Sequence, residues 1–177
     1  GNQVAFVRDN NIFLVKLLYD NSESQVTTDG KFNHVINGIP DWVNEEEFSY
    51  NSALEFNADG TMLFWTKFDE CNVKTYSLQM FRGMKPSKDE YEVYPGDYSY
   101  KYPKAGEDNA KVSVWSFDIK TKKTQKMQVP RDEDGYIPRI KRTSDPEKMV
   151  VYTMNRHQDE LCLYGVNPRS TVAQLIV

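Results

Sequence analysis

The 177-residue sequence is poor in the residues that build metal and redox centres, with two histidines, His34 and His157, and two cysteines, Cys71 and Cys162. The cysteines lie far apart with no CxxC or metal-like spacing, and His157 has no ligand partner at a workable distance along the chain. No metal and no cofactor is therefore expected, and the cysteines read as free thiols, which leaves the redox compartment open. No apolar run approaches the roughly 20 residues that a membrane-spanning helix needs, and the N-terminus lacks a signal-peptide pattern. A basic stripe is missing too: the net charge is −4, which argues against nucleic-acid binding. Gly-x-Ser-x-Gly, the nucleophile elbow of the α/β-hydrolases, occurs nowhere.

What is present points to sheet. Apolar residues make up 39% of the chain and aromatics 13%, enough for one packed domain. Aromatic and β-branched residues outweigh strong helix formers, and the periodicity is that of short strands with frequent turns. Strand-like sequence begins directly after Gly1, so the chain is expected to start inside a longer protein.

Three stretches resemble one another: NQVAFVRDNNIFLVKL from Asn2, TMLFWTKFDE from Thr61 and EKMVVYTMNRHQDELCLYGV from Glu147. Each opens with an apolar strand that ends in a polar turn. In the first and third a second strand follows at once, and a further polar turn leads to QVTT or VAQLIV. The middle copy breaks off after Glu70, and its missing hairpin reappears at Lys111 as KVSVWSFDIKTKKTQKMQV. SALEF and YIPRIKR supply a strand ahead of the second and third copies. A repeated unit of four antiparallel strands is the mark of a β-propeller blade. The expected fold is all-β: a partial β-propeller of about three four-stranded antiparallel blades, with a long insertion in the middle blade. The divisions are a blade part at 1–30, an inter-blade segment at 31–50, a blade at 51–130 carrying an insertion at 71–110, and a blade at 136–177. A plain β-sandwich of ten or so strands is the other architecture that the pattern fits.

Within DWVNEEEF, Glu45, Glu46 and Glu47 stand side by side between Trp42 and Phe48. Adjacent carboxylates repel, and an aromatic frame makes their ionised forms harder to hold without a cation. A solvated acidic turn would carry three glutamates but has no need of the aromatics. Six of the eleven tyrosines fall in the insertion, where Tyr91, Tyr94, Tyr98 and Tyr100 read as contact area for a partner or for the chain's own propeller. Trp42, Trp65 and Trp115 read as core anchors, with Trp42 also walling the glutamates. His157 reads as a solvated turn residue, and Lys120, Lys122 and Lys123 as charges at a hairpin turn.

DWVNEEEF, followed by ALEFNADGTMLFWTKFDE and by YPKAGEDNAKVSVW from Tyr102, resembles the propeller domain of dipeptidyl peptidase IV, a serine exopeptidase of the prolyl oligopeptidase group. The likeness covers essentially the whole chain, and YIPRIKRTSDPEKMVVYTMNRHQDELCLY is similar to the following blade of bacterial members. The resemblance implies an eight-bladed propeller capping an α/β-hydrolase catalytic domain, and removal of Xaa-Pro or Xaa-Ala dipeptides from peptide N-termini. It implies that Glu46 and Glu47 bind the substrate's α-ammonium from a short helical segment between blades, with Trp42, Glu45 and Phe48 in support. The catalytic triad would lie in the hydrolase domain beyond Val177, and an arginine for the substrate carbonyl in a blade before Gly1. It also implies homodimerisation through the insertion, and a periplasmic, cell-surface or secreted location. The family usually has Tyr where this chain has Asn44, and more aromatic character than Glu55 and Asn57 supply. A non-enzymatic propeller module for protein interaction and the propeller of a prolyl tripeptidyl peptidase are the alternative readings.

Overall fold

A computed structural model of the chain describes residues 1–81, 83 and 93–177; Tyr91 lies outside the described residues. The first sheet is a meander. Strand β1 (Gln3–Arg8) pairs antiparallel with β2 (Asn11–Lys16) across a two-residue turn. Asp9 and Asn10 form that turn, both at positive φ, and Asp and Asn are among the few residues that tolerate it. Strand β3 (Ser22–Gln25) closes the sheet with Lys16 opposite Ser22. It starts earlier than QVTT, inside the stretch that reads as a turn. As an edge strand with mostly exposed side chains it has no need of the apolar alternation that marks its neighbours.

The second sheet is built on two long strands, β6 (Met62–Asp69) and β9 (Lys111–Asp118), paired along their whole length. One edge of β6 is shared by two short strands, β4 (Val35–Asn37) and β5 (Leu54–Phe56), which flank a helix, α1 (Trp42–Phe48). Strand β4 lies within 31–50, so part of the stretch read as joining two blades belongs to the middle sheet. Between β6 and β9 the chain leaves the sheet as a separate hairpin, the arm, made of β7 (Thr75–Met80) and β8 (Gly96–Lys101). Strand β10 (Thr124–Lys126) completes the sheet. The third sheet is a four-stranded meander of β11 (Tyr136–Arg142), β12 (Met149–Met154), β13 (Leu161–Val166) and β14 (Ala173–Leu175).

The sheets stack in chain order. Ile12 and Leu14 of the first sheet pack with Leu63, Trp65 and Phe117 of the second. On the opposite face, Phe64, Phe68 and Val112 pack with Ile137, Ile140 and Val151 of the third. Because successive side chains on β6 point to opposite faces, one strand serves both cores and is buried along nearly all its length. Each such apolar side chain stabilises the fold by roughly 1.5–3 kcal/mol. Three sheets, each lying face to face with the next, form an arc of blades, whereas a two-layer sandwich has no place for the third. Trp65 is a core residue at 1% exposure, but Trp42 and Trp115 are only half-buried; Trp42 lies on α1 against Tyr100 and Tyr102, outside the cores between the sheets. Cys71 and Cys162 are free thiols.

Candidate functional site

The helix with the three glutamates loops out of a strand. Gly38, just past β4, donates its N–H to the carbonyl of Thr66 (3.0 Å), and Ala53, just before β5, accepts from the N–H of the same Thr66 (2.9 Å). The N–H of Ala53 also donates to the carbonyl of Gly38 (3.1 Å), which closes the base of the excursion. Strand β4 meets β6 down to Lys67 and β5 resumes at Trp65, so the excursion leaves and rejoins the edge at one residue. Glycine is required there: Gly38 has φ +80°, and a Cβ would meet Ile12 and Val7 of the first sheet at 3.0–3.1 Å.

Local sequence then sets the helix. Asp41 is an N-cap in extended conformation whose carboxylate accepts from the N–H of Asn44 (3.1 Å) and from its Nδ2 (2.7 Å). Burial holds the Asp41 carboxyl above the ordinary carboxylate range, and the two Asn44 hydrogen bonds oppose that shift. At the other end Ser49 takes the left-handed conformation, and the N–H of Tyr50 returns to the carbonyl of Asn44 (3.1 Å). The Tyr50 hydroxyl is bonded to Thr66 Oγ1 (2.9 Å), so the helix exit is tied to the residue that closes its base. The third sheet holds the same end: Arg139 donates to the carbonyl of Phe48, and Phe48 meets Tyr136 edge-on at 5.2 Å between centroids.

Consecutive helical residues are rotated by about 100°, so the three glutamates fan out around the helix. All three are exposed. Glu45 lines a cavity of about 520 Å³ between α1 and the arm, whereas Glu46 and Glu47 do not. Trp42 precedes Glu45 by one turn and packs on Tyr102 and Tyr100, at centroid distances of 4.5 and 6.5 Å. Tyr100 sits opposite Tyr76 in the arm, and their rings meet edge-on. Burial pushes the Tyr100 phenol up, and the neighbouring tyrosines and Glu46 add to the shift. Of the tyrosines proposed for the arm, Tyr100 therefore turns towards α1, Tyr98 lies tilted against Tyr100 at 5.8 Å, and Tyr94, just ahead of β8, is 78% exposed.

The two departures from the usual family pattern that are buried have structural partners. Asn44 Nδ2 bonds Asp41, while its Oδ1 has no partner among the described residues. Asn57 accepts from the N–H of Met62 (2.9 Å) and donates to the carbonyl of Pro146 (2.9 Å), which links the second sheet to the third. The sequence reading missed one residue of this region, Glu70, a buried carboxyl on the cavity wall. Its place beside Asp69, where the strand gives way to a turn, gave no signal of burial.

Three stacked sheets, with a glutamate-bearing helix looping out at the edge of the middle one, define a partial β-propeller. The chain belongs to the dipeptidyl peptidase IV family: the profile of the dipeptidyl peptidase IV N-terminal region matches residues 1–177. It is 38% identical over 185 residues to a probable dipeptidyl-aminopeptidase B of Tuber melanosporum, covering 96% of this chain and 20% of the relative. The corresponding protein of Colletotrichum graminicola is 34% identical over 166 residues, covering 90% of this chain and 18% of the relative. The chain thus spans about a fifth of the length of these relatives. Among solved structures, dipeptidyl peptidase 4 of Porphyromonas gingivalis superposes with a TM-score of 0.91 at 44% identity, covering 99% of this chain and 24% of that one. A putative dipeptidyl aminopeptidase IV of Bacteroides ovatus, at 20% identity and a TM-score of 0.77 over 98% of this chain and 22% of that one, shares the fold.

Proposed function

We propose that this chain is the propeller segment through which a dipeptidyl peptidase IV-like serine exopeptidase gates its substrate and reads the free N-terminus. Glu46 and Glu47 accept the hydrogen bonds of the α-ammonium. One observation carries the proposal: both carboxylates are exposed on a helix fixed at both ends, and among the described residues neither has an ion-pair or hydrogen-bond partner. A like-charged pair held in place without a cation is poised to accept one. An ammonium offers three donors, and two carboxylates that take them fix both charge and register. That is what an enzyme needs if it is to cut two residues from an N-terminus.

Release of Xaa-Pro or Xaa-Ala dipeptides would fall to an α/β-hydrolase domain of the same polypeptide, because this sequence holds no Gly-x-Ser-x-Gly. Contact with a second copy through the arm, with the exposed Tyr94 just ahead of β8, belongs to the same reading. The test is a double cycle on the full-length protein, crossing Glu46→Gln and Glu47→Gln with free and N-acetylated Gly-Pro substrates. Each substitution should lower kcat/KM on the free amine by about two to three orders of magnitude, the loss expected when one partner of a desolvated ion pair is removed. The variants should be nearly indifferent to acetylation, and Glu45→Gln should cost much less. Strictly additive losses would mean that the glutamates do not touch the ammonium.

A further inference from the structure

The cavity between the arm and α1 has apolar walls from Phe32, Ile36 and Ile39 ahead of the helix, Trp42 on it, and Leu78 and Met80 in β7. Four charged residues complete the lining: Asp41, Glu45, Glu70 and Lys101. Asp41 is occupied as the helix cap, and Lys101 Nζ donates to the carbonyl of Val73 (2.6 Å). Glu45 is exposed to solvent. Glu70 differs from all three: it is 5% exposed, and its carboxyl makes no hydrogen bond or ion pair among the described residues.

The backbone holds Glu70 in that position. Its N–H donates to the carbonyl of His34 (2.7 Å) and its carbonyl accepts from Val73 (3.0 Å), at the point where the chain leaves β6 for the arm. A buried carboxyl without a partner costs the fold several kcal/mol if ionised, so it stays protonated where it can. Burial pushes Glu70 up to about 8; the charges of Asp41 and Asp69 add to the shift and Lys101 opposes it. An arriving cation would remove that penalty. An anion would meet the acidic groups of Asp41, Glu45 and Glu70, and a ligand without an apolar body would leave the walls uncovered. The volume lies within the range of small-molecule sites, roughly 300–1,000 Å³.

We propose that this cavity is a binding site for a primary amine on an apolar body, its ammonium meeting Glu70 and its hydrocarbon or aromatic part lying against Trp42, Leu78 and Met80. The proposal stands whether or not Glu46 and Glu47 hold an amine, since neither lines the cavity.

The experiment is isothermal titration of the full-length protein with 2-phenylethylamine, using the Glu46→Gln/Glu47→Gln double variant so that the exposed pair does not contribute. Saturable one-site binding is expected, with release of about one proton near pH 7 as Glu70 ionises against the ammonium, seen as heat that scales with the buffer's ionisation enthalpy. Adding Glu70→Gln should weaken binding at least tenfold and abolish the proton release, which separates Glu70 from Asp41 and the other groups facing the cavity. Leu78→Trp, which fills the cavity and leaves the carboxyl in place, should also abolish binding. 3-Phenylpropionate, with the same body and the opposite charge, should not bind. Failure of the amine to bind, binding without proton release, or binding unaltered by either Glu70→Gln or Leu78→Trp would overturn the proposal. Should Glu70→Gln not fold, the proton release and the Leu78→Trp variant decide it.

Discussion

The indole of Trp42 and the ring of Tyr102 lie 4.5 Å apart, tilted by 60°, and through this contact the arm holds the helix that bears the glutamates. Aromatic pairs in this geometry contribute about 0.5–1.5 kcal/mol beyond the area they bury. Trp42→Ala should therefore lower stability by about 1–3 kcal/mol, less than the cost at a fully buried site because Trp42 is only half-buried. It should also lower kcat/KM of the full-length protein on free-amine substrates more than on acetylated ones, with Tyr102→Ala smaller in the same direction. Equal effects on both substrates would show that the arm does not position the glutamates.

Gly38→Ala tests the base of the excursion. Left-handed backbone costs a residue with a Cβ about 1–2 kcal/mol, and here the Cβ also presses on Ile12 and Val7. Gly106 has nearly the same φ, +82°, with nothing within 4 Å of its Cβ position, so Gly106→Ala carries the backbone part alone. Denaturant unfolding should place Gly38→Ala below Gly106→Ala by 1 kcal/mol or more. Matching losses would remove the first sheet from the account of why the loop starts where it does.

Thr66 and Tyr50 form one unit, since the hydroxyls are buried and bonded to each other at 2.9 Å. Removing one partner strands the other, at about 1–3 kcal/mol, whereas removing both is far milder. Thr66→Val and Tyr50→Phe should each destabilise, and the double variant should lose clearly less than the sum of the two. Additive losses would mean that the hydroxyls are independently solvated.

The pH dependence of stability should carry the signature of Glu70. Its folded value of about 8 lies above its ordinary 4.5, so between the two the folded state binds the proton that the unfolded state has released. Stability from this group is complete below pH 4.5, falls by up to about 1.4 kcal/mol per pH unit on the way up, and is fully lost above pH 8. Glu70→Gln should leave stability near pH 4.5 almost unchanged and raise it at pH 8. A variant that is uniformly less stable across this range would show that the carboxyl is paired.

Much of this fold was legible because its strands obey simple periodicities. YIPRIKR is β11, and the apolar run MVVYTM is β12, with burial that alternates along it. The fully apolar run MLFW marks a strand with a core on each face. The acidic run is conspicuous in the sequence because three carboxylates between aromatics answer no need of the fold, and its part in binding is the proposal made above. Other features left no trace. Strand β3 is polar because it is an edge, and β4 is a three-residue strand whose continuation comes only after α1. Glu70 reads like any turn acid beside Asp69, and the charges that act on it besides Asp69 come from Asp41 and Lys101, which are distant in sequence. A half-buried tryptophan has the same letter as a buried one, so Trp42 and Trp115 could not be told from Trp65.

That the helical excursion leaves and rejoins the sheet edge at Thr66 has a consequence for how such proteins diversify. The excursion takes up no register: Lys67 keeps Asn37 and Trp65 keeps Leu54 whatever lies between Gly38 and Ala53. Residues 39–52 can change in length without shifting the register of the sheet, provided that Phe48 and Tyr50 keep their ties to Arg139, Tyr136 and Thr66. The scaffold's hydrogen-bond ladder stays as it is, and a transplanted loop needs a glycine at one rim, a small residue at the other and an aromatic hydroxyl that reaches Thr66.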